Sequence, residues 1–436
     1  MTAAARSIPN DRMAVLFCVM LVAAAGNTAM QSILPAIGAK LGIPDVWVSL
    51  AFSWSALLWV ITAPRWARQS DRRGRKALMA LGIAGFSLSM MLCGLTIWAG
   101  LSGWLGAGLT FILFALCRSL YGGFGSAAPP AVQAYVAART DPAERTQALS
   151  LVSSSFGLGT VIGPAIAPLF ILPFFGLAAP MLVFAAIGVS VLIALRWRLP
   201  DDVPRFEARG TVAPYPTSAS VAAVDEPDSK DEDGDDDPAR PHTALAWRDP
   251  RTKPWLVAGF IGGQAQAMIL GVVGFLILDR LELRLRPDEA ADPTGVVLMA
   301  GAFASLLAQW GLIPLLKPGP RMAVLSGAAL AAVGAMVVGL AGDLHGIVIG
   351  FALASLGFGL FRPGFTAGAS LAVPRRDQGS VAGMTASING SAYIISPALG
   401  VLIYGWNSLI AFGLMALFCA FLVGWGWKAL QDPDKR

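Results

Sequence analysis

Apolar residues fall into twelve long runs separated by short polar breaks: Met13–Gly38, Val46–Trp66, Ala77–Trp98, Leu105–Ala137, Gln147–Ile171, Leu177–Trp197, Trp255–Leu278, Thr294–Leu316, Met322–Ala341, Leu344–Ala372, Ser380–Tyr404 and Ser408–Lys428. A helix needs about 20 apolar residues to cross the hydrocarbon of a bilayer. The pattern therefore predicts an all-α membrane protein with twelve transmembrane helices. The first run is too long for the h-region of a signal peptide, and no A-x-A-like site follows it, so it is expected to be the first helix. Twelve crossings put both termini on one side. Between Leu199 and Ala246 the pattern breaks into a tract containing the acidic stretch Asp225 to Asp237. Such a tract cannot bury enough apolar surface to offset its ordering entropy, so a disordered linker is expected. The acidic residues lack the spacing of a calcium loop. The chain thus divides into residues 1–198 with six helices, a linker over 199–253, and residues 254–436 with six more.

Composition agrees: 56% of the residues are hydrophobic and 14% charged, against about a quarter charged in a soluble domain. The net charge of +5 could suggest nucleic acid, but the bases lie in the breaks. Of 32 Lys and Arg, 26 fall on the side that carries the termini and four (Lys40, Arg280, Arg284, Arg286) on the other. Cytoplasmic segments are enriched in bases, so cytoplasmic termini are expected and no nucleic-acid partner is. The four cysteines sit in apolar runs without metal or disulfide spacing. No Gly-rich phosphate loop, metal cluster or nucleophile–base pair appears, which argues against an enzyme, and no cofactor or metal is expected. The halves look related: at an offset of 233, Pro130 matches Pro363 and Pro164 matches Pro397. Related halves imply a transporter with its site at the midplane between them.

The break after the second run reads Ala67-Arg-Gln-Ser-Asp71-Arg72-Arg73-Gly74-Arg75-Lys76-Ala-Leu78. Gly74 supplies the backbone freedom of a tight turn, and the bases hold the loop inside. The loop resembles the G-x-L-x-D-R-x-G-R-K-x-L signature of the major facilitator superfamily, with Ala67 and Gln69 as departures. The fourth run carries Arg118-Ser-Leu-Tyr121-Gly122, similar to the R-x-x-Q-G element of that family's drug and metabolite exporters, with Tyr121 in place of Gln. The fifth carries Gly159-x-x-x-Gly163-Pro164-Ala-Ile-Ala167, resembling the G-x-x-x-G-P-x-x-G element of its proton antiporters. The loop Asp141-Pro-Ala-Glu144-Arg145 also looks like the family's. The resemblance implies a monomeric secondary transporter of the bacterial inner membrane, working by alternating access, with protons as a candidate coupling ion. It makes Asp71, Arg72, Gly74, Arg75 and Lys76 a conformational-gate loop, with the acid meeting the start of helix 11. It makes Gly159, Gly163 and Pro164 a packing face against the opposite half. From the residues alone, that face is a close approach of helices through small side chains.

Inside the runs, ionisable groups are scarce. All 27 acids lie outside the helical cores, Asp279 and Asp343 coming closest, and Arg118 and Arg362 are the two bases within. An Arg at mid-bilayer costs about 2.5–3.5 kcal/mol on insertion scales, so each is a functional candidate. Arg118 could instead bond carbonyls freed near Pro129 and Pro130, and Arg362 those loosened by Pro363. Uncharged candidates are Asn27 and Gln31, one turn apart and so on one face, with Gln133, Gln264, Gln266 and Asn389. Tyr121 and Tyr393, with Trp54, Phe260 and Trp310, could line a cavity. Cation exporters of the family usually need an embedded carboxylate, and none lies in these runs. An anionic or zwitterionic substrate such as a carboxylate metabolite, siderophore or drug is therefore expected, and the proton's carrier is not evident. An exporter is the leading expectation. An importer or anion exchanger, a lipid flippase, and a transporter-like scaffold or sensor are the alternatives.

Overall fold

The computed structural model describes residues 8–140, 142–200 and 247–431. Their regular structure is helical, apart from an isolated bridge between Leu172 and Gly176. Twelve helices follow the apolar runs: α1 (Asn10–Leu41), α2 (Asp45–Arg73), α3 (Arg75–Leu101), α4 (Ala107–Phe124, continued by Ala128–Ala137), α5 (Pro142–Ile166), α6 (Ala179–Arg198), α7 (Lys253–Arg280), α8 (Ala291–Leu306, continued to Leu316), α9 (Pro320–Leu340), α10 (Leu344–Leu371), α11 (Arg375–Trp406) and α12 (Ser408–Ala429). Eleven are long and apolar enough to span a bilayer; the twelfth, α5, has Leu151–Ile166 as its described apolar part. The fifth run was expected to continue to Ile171, but α5 stops at Ile166 and a 3₁₀ turn covers Pro168–Phe170. Pro168 has no N–H to continue the ladder. The linker expected at 199–253 lies largely outside the described residues.

Two helices are irregular. In α4 a 3₁₀ turn over Gly125–Ala127 precedes Pro129 and Pro130, whose rings remove two donors from the ladder. In α8 the residues Leu307–Leu312 form a π-helical turn, a feature frequent at functional sites.

Packing runs through small residues, because lipid tails give helices no hydrophobic reason to associate and close backbone approach must replace it. Gly159 and Gly163 of α5 lie directly on the Leu21 and Ala25 carbonyls of α1. They are four residues apart and so share one face, and that face looks at α1 within the first six helices. The expectation that these glycines pack against the opposite half is corrected here. Pro164, next along the chain, points elsewhere. A Cβ on Gly295 of α8 would stand 2.6 Å from the Pro164 carbonyl oxygen, so Pro164 is where α5 meets the last six helices.

Further close approaches between the first and last six helices, among the described glycines, are Pro35 to Gly274 and Val60 to Gly390. Pro164–Gly295 and Pro35–Gly274 lie toward the face opposite the termini, called here the far face, whereas Val60–Gly390 lies on the terminal side of mid-depth, nearer the Trp66 end of its span in α2 and the Gly383 end in α11. Gly274 and Phe260 are 14 residues apart on α7, almost four turns, and so share a side of that helix. Gly274 is buried against Pro35, whereas Phe260, nearer the termini, is 49% exposed. The two sets of helices are therefore in close contact at the far face.

Candidate substrate cleft and gates

A cavity of about 60 Å³ lies between the two sets of helices, lined by Gln31 and Phe52 from the first set and by Thr294, Tyr393 and Pro397 from the last, among others. Asn27, one turn from Gln31 toward the termini, is fully buried and accepts a hydrogen bond from Arg118 Nη2. The Arg118 guanidinium lies 4.7 Å from the centre of the Tyr121 ring and 5.5 Å from that of Phe52, within cation–π range. Phe52 thus stands as one ring between Arg118 and the cavity. Tyr121 donates its hydroxyl proton to the Ala23 carbonyl at 3.2 Å and packs against Trp59 and Phe86. The structure places Tyr121 in the packing of the first six helices rather than on the cavity wall. Arg118 is met by the Asn27 amide and two rings.

In the last six helices, Ser396 of α11 donates to Gln264 Oε1 of α7. Tyr393, one turn from Ser396, lines the cavity. Arg362 of α10 is 8% exposed. Of the other polar candidates, Gln266 is buried and Gln133 and Asn389 are half-buried; they are not among the residues lining this cavity. Trp54 and Trp310, expected as lining, are half-exposed on α2 and α8, and Trp54 donates to Ser119 at 2.7 Å.

Gly74 joins α2 to α3 with φ at +86°, a conformation that side chains disfavour. Arg75 is buried and Lys76 half-buried directly beyond it. The side chains of Asp71 and Arg72, and of residues 375–380 at the start of α11, lie outside the described residues.

The far face carries a clamp that the sequence reading did not assemble. Lys40, at the end of α1, is 2.7 Å from Asp288. Arg284, in the turn after α7, donates to Asp45 in the first turn of α2 at 2.6 Å and also to Asp279 at the end of α7. Tyr404 of α11 donates to the other oxygen of Asp279 at 2.6 Å. Both ion pairs join the first six helices to the last six. The Asp45 and Asp279 carboxylates raise the Arg284 pKa above its already high value, so the guanidinium is charged at any working pH. The signal for this cluster lay in the charge census: two of the four bases outside the base-rich side, Lys40 and Arg284, bind acids across the cleft.

Comparison with known proteins now decides the family. The profile of the Major Facilitator Superfamily matches residues 16–397. The chain belongs to that superfamily. It is a multi-pass membrane transporter and not an enzyme. Among curated proteins, this major facilitator chain is 36% identical over 142 residues to Multidrug resistance protein 2 of Bacillus subtilis (strain 168), covering 31% of this chain and 32% of that one. It is 31% identical over 149 residues to Multidrug resistance protein MdtG of Proteus mirabilis (strain HI4320), covering 33% of each. The matches thus span about a third of those relatives' length. Solved structures with the same fold include the nucleoside transporter NupG (TM-score 0.70, 10% identity, 97% of this chain and all of that one). The human organic anion transporter MFSD10 (TETRAN) is another (TM-score 0.61, 18% identity, 97% and 100%).

Proposed function

We propose that this protein is a secondary active exporter of a small molecule. It works by rocking residues 1–198 against 254–436 about a midplane cleft, with 199–253 as the connecting linker. The observation that carries the reading is the closure of the far face. Two ion pairs and two close approaches, Pro35 to Gly274 and Pro164 to Gly295, join the halves there. Alternating access needs a site reachable from one side and sealed on the other. With cytoplasmic termini, as the base distribution indicates, this conformation receives cargo from the cytoplasm. The export direction draws on the names of the curated relatives, and the bacterial inner membrane follows from the same source. Transport of a candidate solute into inside-out vesicles tests the direction. ATP-independent accumulation driven by an ion gradient is the expected result, and accumulation in right-side-out vesicles instead would reverse the direction.

A further inference from the structure

The two membrane-embedded arginines occupy comparable helices of the two halves, yet their surroundings differ. Arg118 has a built partner set: the Asn27 amide and the faces of Tyr121 and Phe52. Arg362 has nothing comparable. It is 92% removed from solvent, and among the described residues its buried Nη1 meets no hydrogen-bond acceptor. No carboxylate among the described residues lies inside the span at its depth; the described acids of α7, α8 and α10 (Asp279, Asp292, Asp343) sit at helix ends near the far face. A buried guanidinium without an acceptor is costly, and the cost disappears when an anion arrives.

The side chain does not line the small cavity described above, and its neighbours on α10 show where it leaves the helix. One turn along α10, Phe365 packs on Gly259 of α7; one turn back, Gly359 packs on Ala308 of α8. Arg362 therefore emerges between α7 and α8, beside the π-helical turn that contains Ala308. Tyr393, a wall of the cavity between the halves, lies on α11, which packs against α7. On the same stretch of α11, Ser396 and Gln264 form a neutral hydrogen-bonded pair.

We infer that Arg362 is the anion anchor of the cleft, receiving a soluble organic carboxylate between α7 and α8, whereas Arg118 braces the first six helices. The inference rests on the reading of the cleft as the cargo site, but not on the direction of transport. A guanidinium meets a carboxylate through two parallel N–H···O bonds. A Lys holds the charge without the fork, so the ligand preference is for a planar carboxylate over a neutral isostere.

The test uses the full-length protein, purified in detergent, and a series of acetate, benzoate and octanoate with benzamide as the neutral counterpart of benzoate. Binding is read as ligand-dependent protection against thermal unfolding. At least one carboxylate is expected to protect the wild type and benzamide is not. Arg362→Gln should raise the concentration for half-protection by about tenfold or more, and Arg362→Lys by a smaller factor, since a lost charge-assisted pair outweighs a lost fork. Arg362→Lys keeps the test usable should the Gln variant fold poorly. Equal protection of wild type and Arg362→Gln overturns the assignment. Protection by no carboxylate, or by benzamide as strongly as benzoate, overturns it too. If phosphatidylglycerol protects the wild type and benzoate does not compete with it, the occupant is a lipid headgroup and the soluble-anion assignment fails. Import of a carboxylate that still requires Arg362 would sink the export reading and leave the anchor standing.

Discussion

Replacing Arg284 by Gln should open the far face. Arg284 of the last six helices pairs with Asp45 of the first six and is held by Asp279 of its own half, while Lys40–Asp288 is a second, independent bridge. Arg284 is 41% exposed and Asp45 20%, so water screens the pairs. An exposed pair contributes roughly 0.2–1 kcal/mol, and of the two contacts at this guanidinium only the one to Asp45 crosses the cleft, so about that much closing energy is removed. The ratio of far-face-open to far-face-closed protein therefore rises about 1.4- to 5-fold. The assay is pulsed electron–electron distance measurement between spin labels at Ser102→Cys and Gly342→Cys, both at exposed far-face turns on opposite halves. The exposed Cys18 and half-buried Cys117 are first changed to Ser. A longer-distance population should appear in Arg284→Gln and grow little further when Asp45→Asn is added, because the two share one bridge. Unchanged distance distributions in Arg284→Gln would refute the clamp.

Further expectations concern pH, the packing of α1, the second clamp pair and the linker. Pairing raises the Arg284 pKa, so its contribution is complete below the unfolded value and is lost only as pH rises through the higher folded value. That lies beyond about 12, and the label distances should show no Arg284 titration between about pH 5 and 10; Arg284→Lys should make the far face open as pH rises through the Lys range near 10.4 or above. Gly163→Val forces a side chain onto the Ala25 carbonyl and the Thr28 hydroxyl, and thermal unfolding should show a loss of about 1–3 kcal/mol or failure to fold. Asn27→Ala removes the acceptor bonded to Arg118 and should cost about 1–3 kcal/mol of stability, with Asn27→Asp recovering it. Asp288→Asn alone should move the far-face distances less than Arg284→Gln, since the Lys40–Asp288 pair is more exposed than the bidentate Arg284–Asp45 pair and falls at the low end of about 0.2–1 kcal/mol. Exchanging residues 200–246 for a Gly/Ser linker of equal length should leave surface expression and thermal stability unchanged.

The helices were legible because a bilayer imposes one rule on every span: about 20 apolar residues in a row. The runs gave the helix order and most ends to within a few residues; α5 stopped early at Pro168 because a ring, rather than hydropathy, ends a helix. The pairing of Asn27 with Arg118 was not legible, since it joins α1 to α4 across 91 positions and nothing local marks it. The glycines of α5 were recognisable as a packing face, but their spacing says only that they share a side, not which neighbour that side meets. The π-helical turn of α8 breaks no hydropathy pattern in Leu307–Leu312, yet it stands beside the turn that carries Arg362. The far-face clamp was hidden for a different reason: each member is an ordinary surface charge, and the cluster forms only when the turn after α7 folds over the start of α2.

The central claim is export of a cytoplasmic solute through the cleft between the halves. The most direct measurement compares metabolites in cells and medium among the parent strain, a strain lacking the protein and the same strain complemented with it. One solute or a small set should accumulate inside the cells that lack the protein, appear in the medium of the other two, and be carboxylates. No difference among the strains, or depletion of a solute from the medium only when the protein is present, would contradict the account.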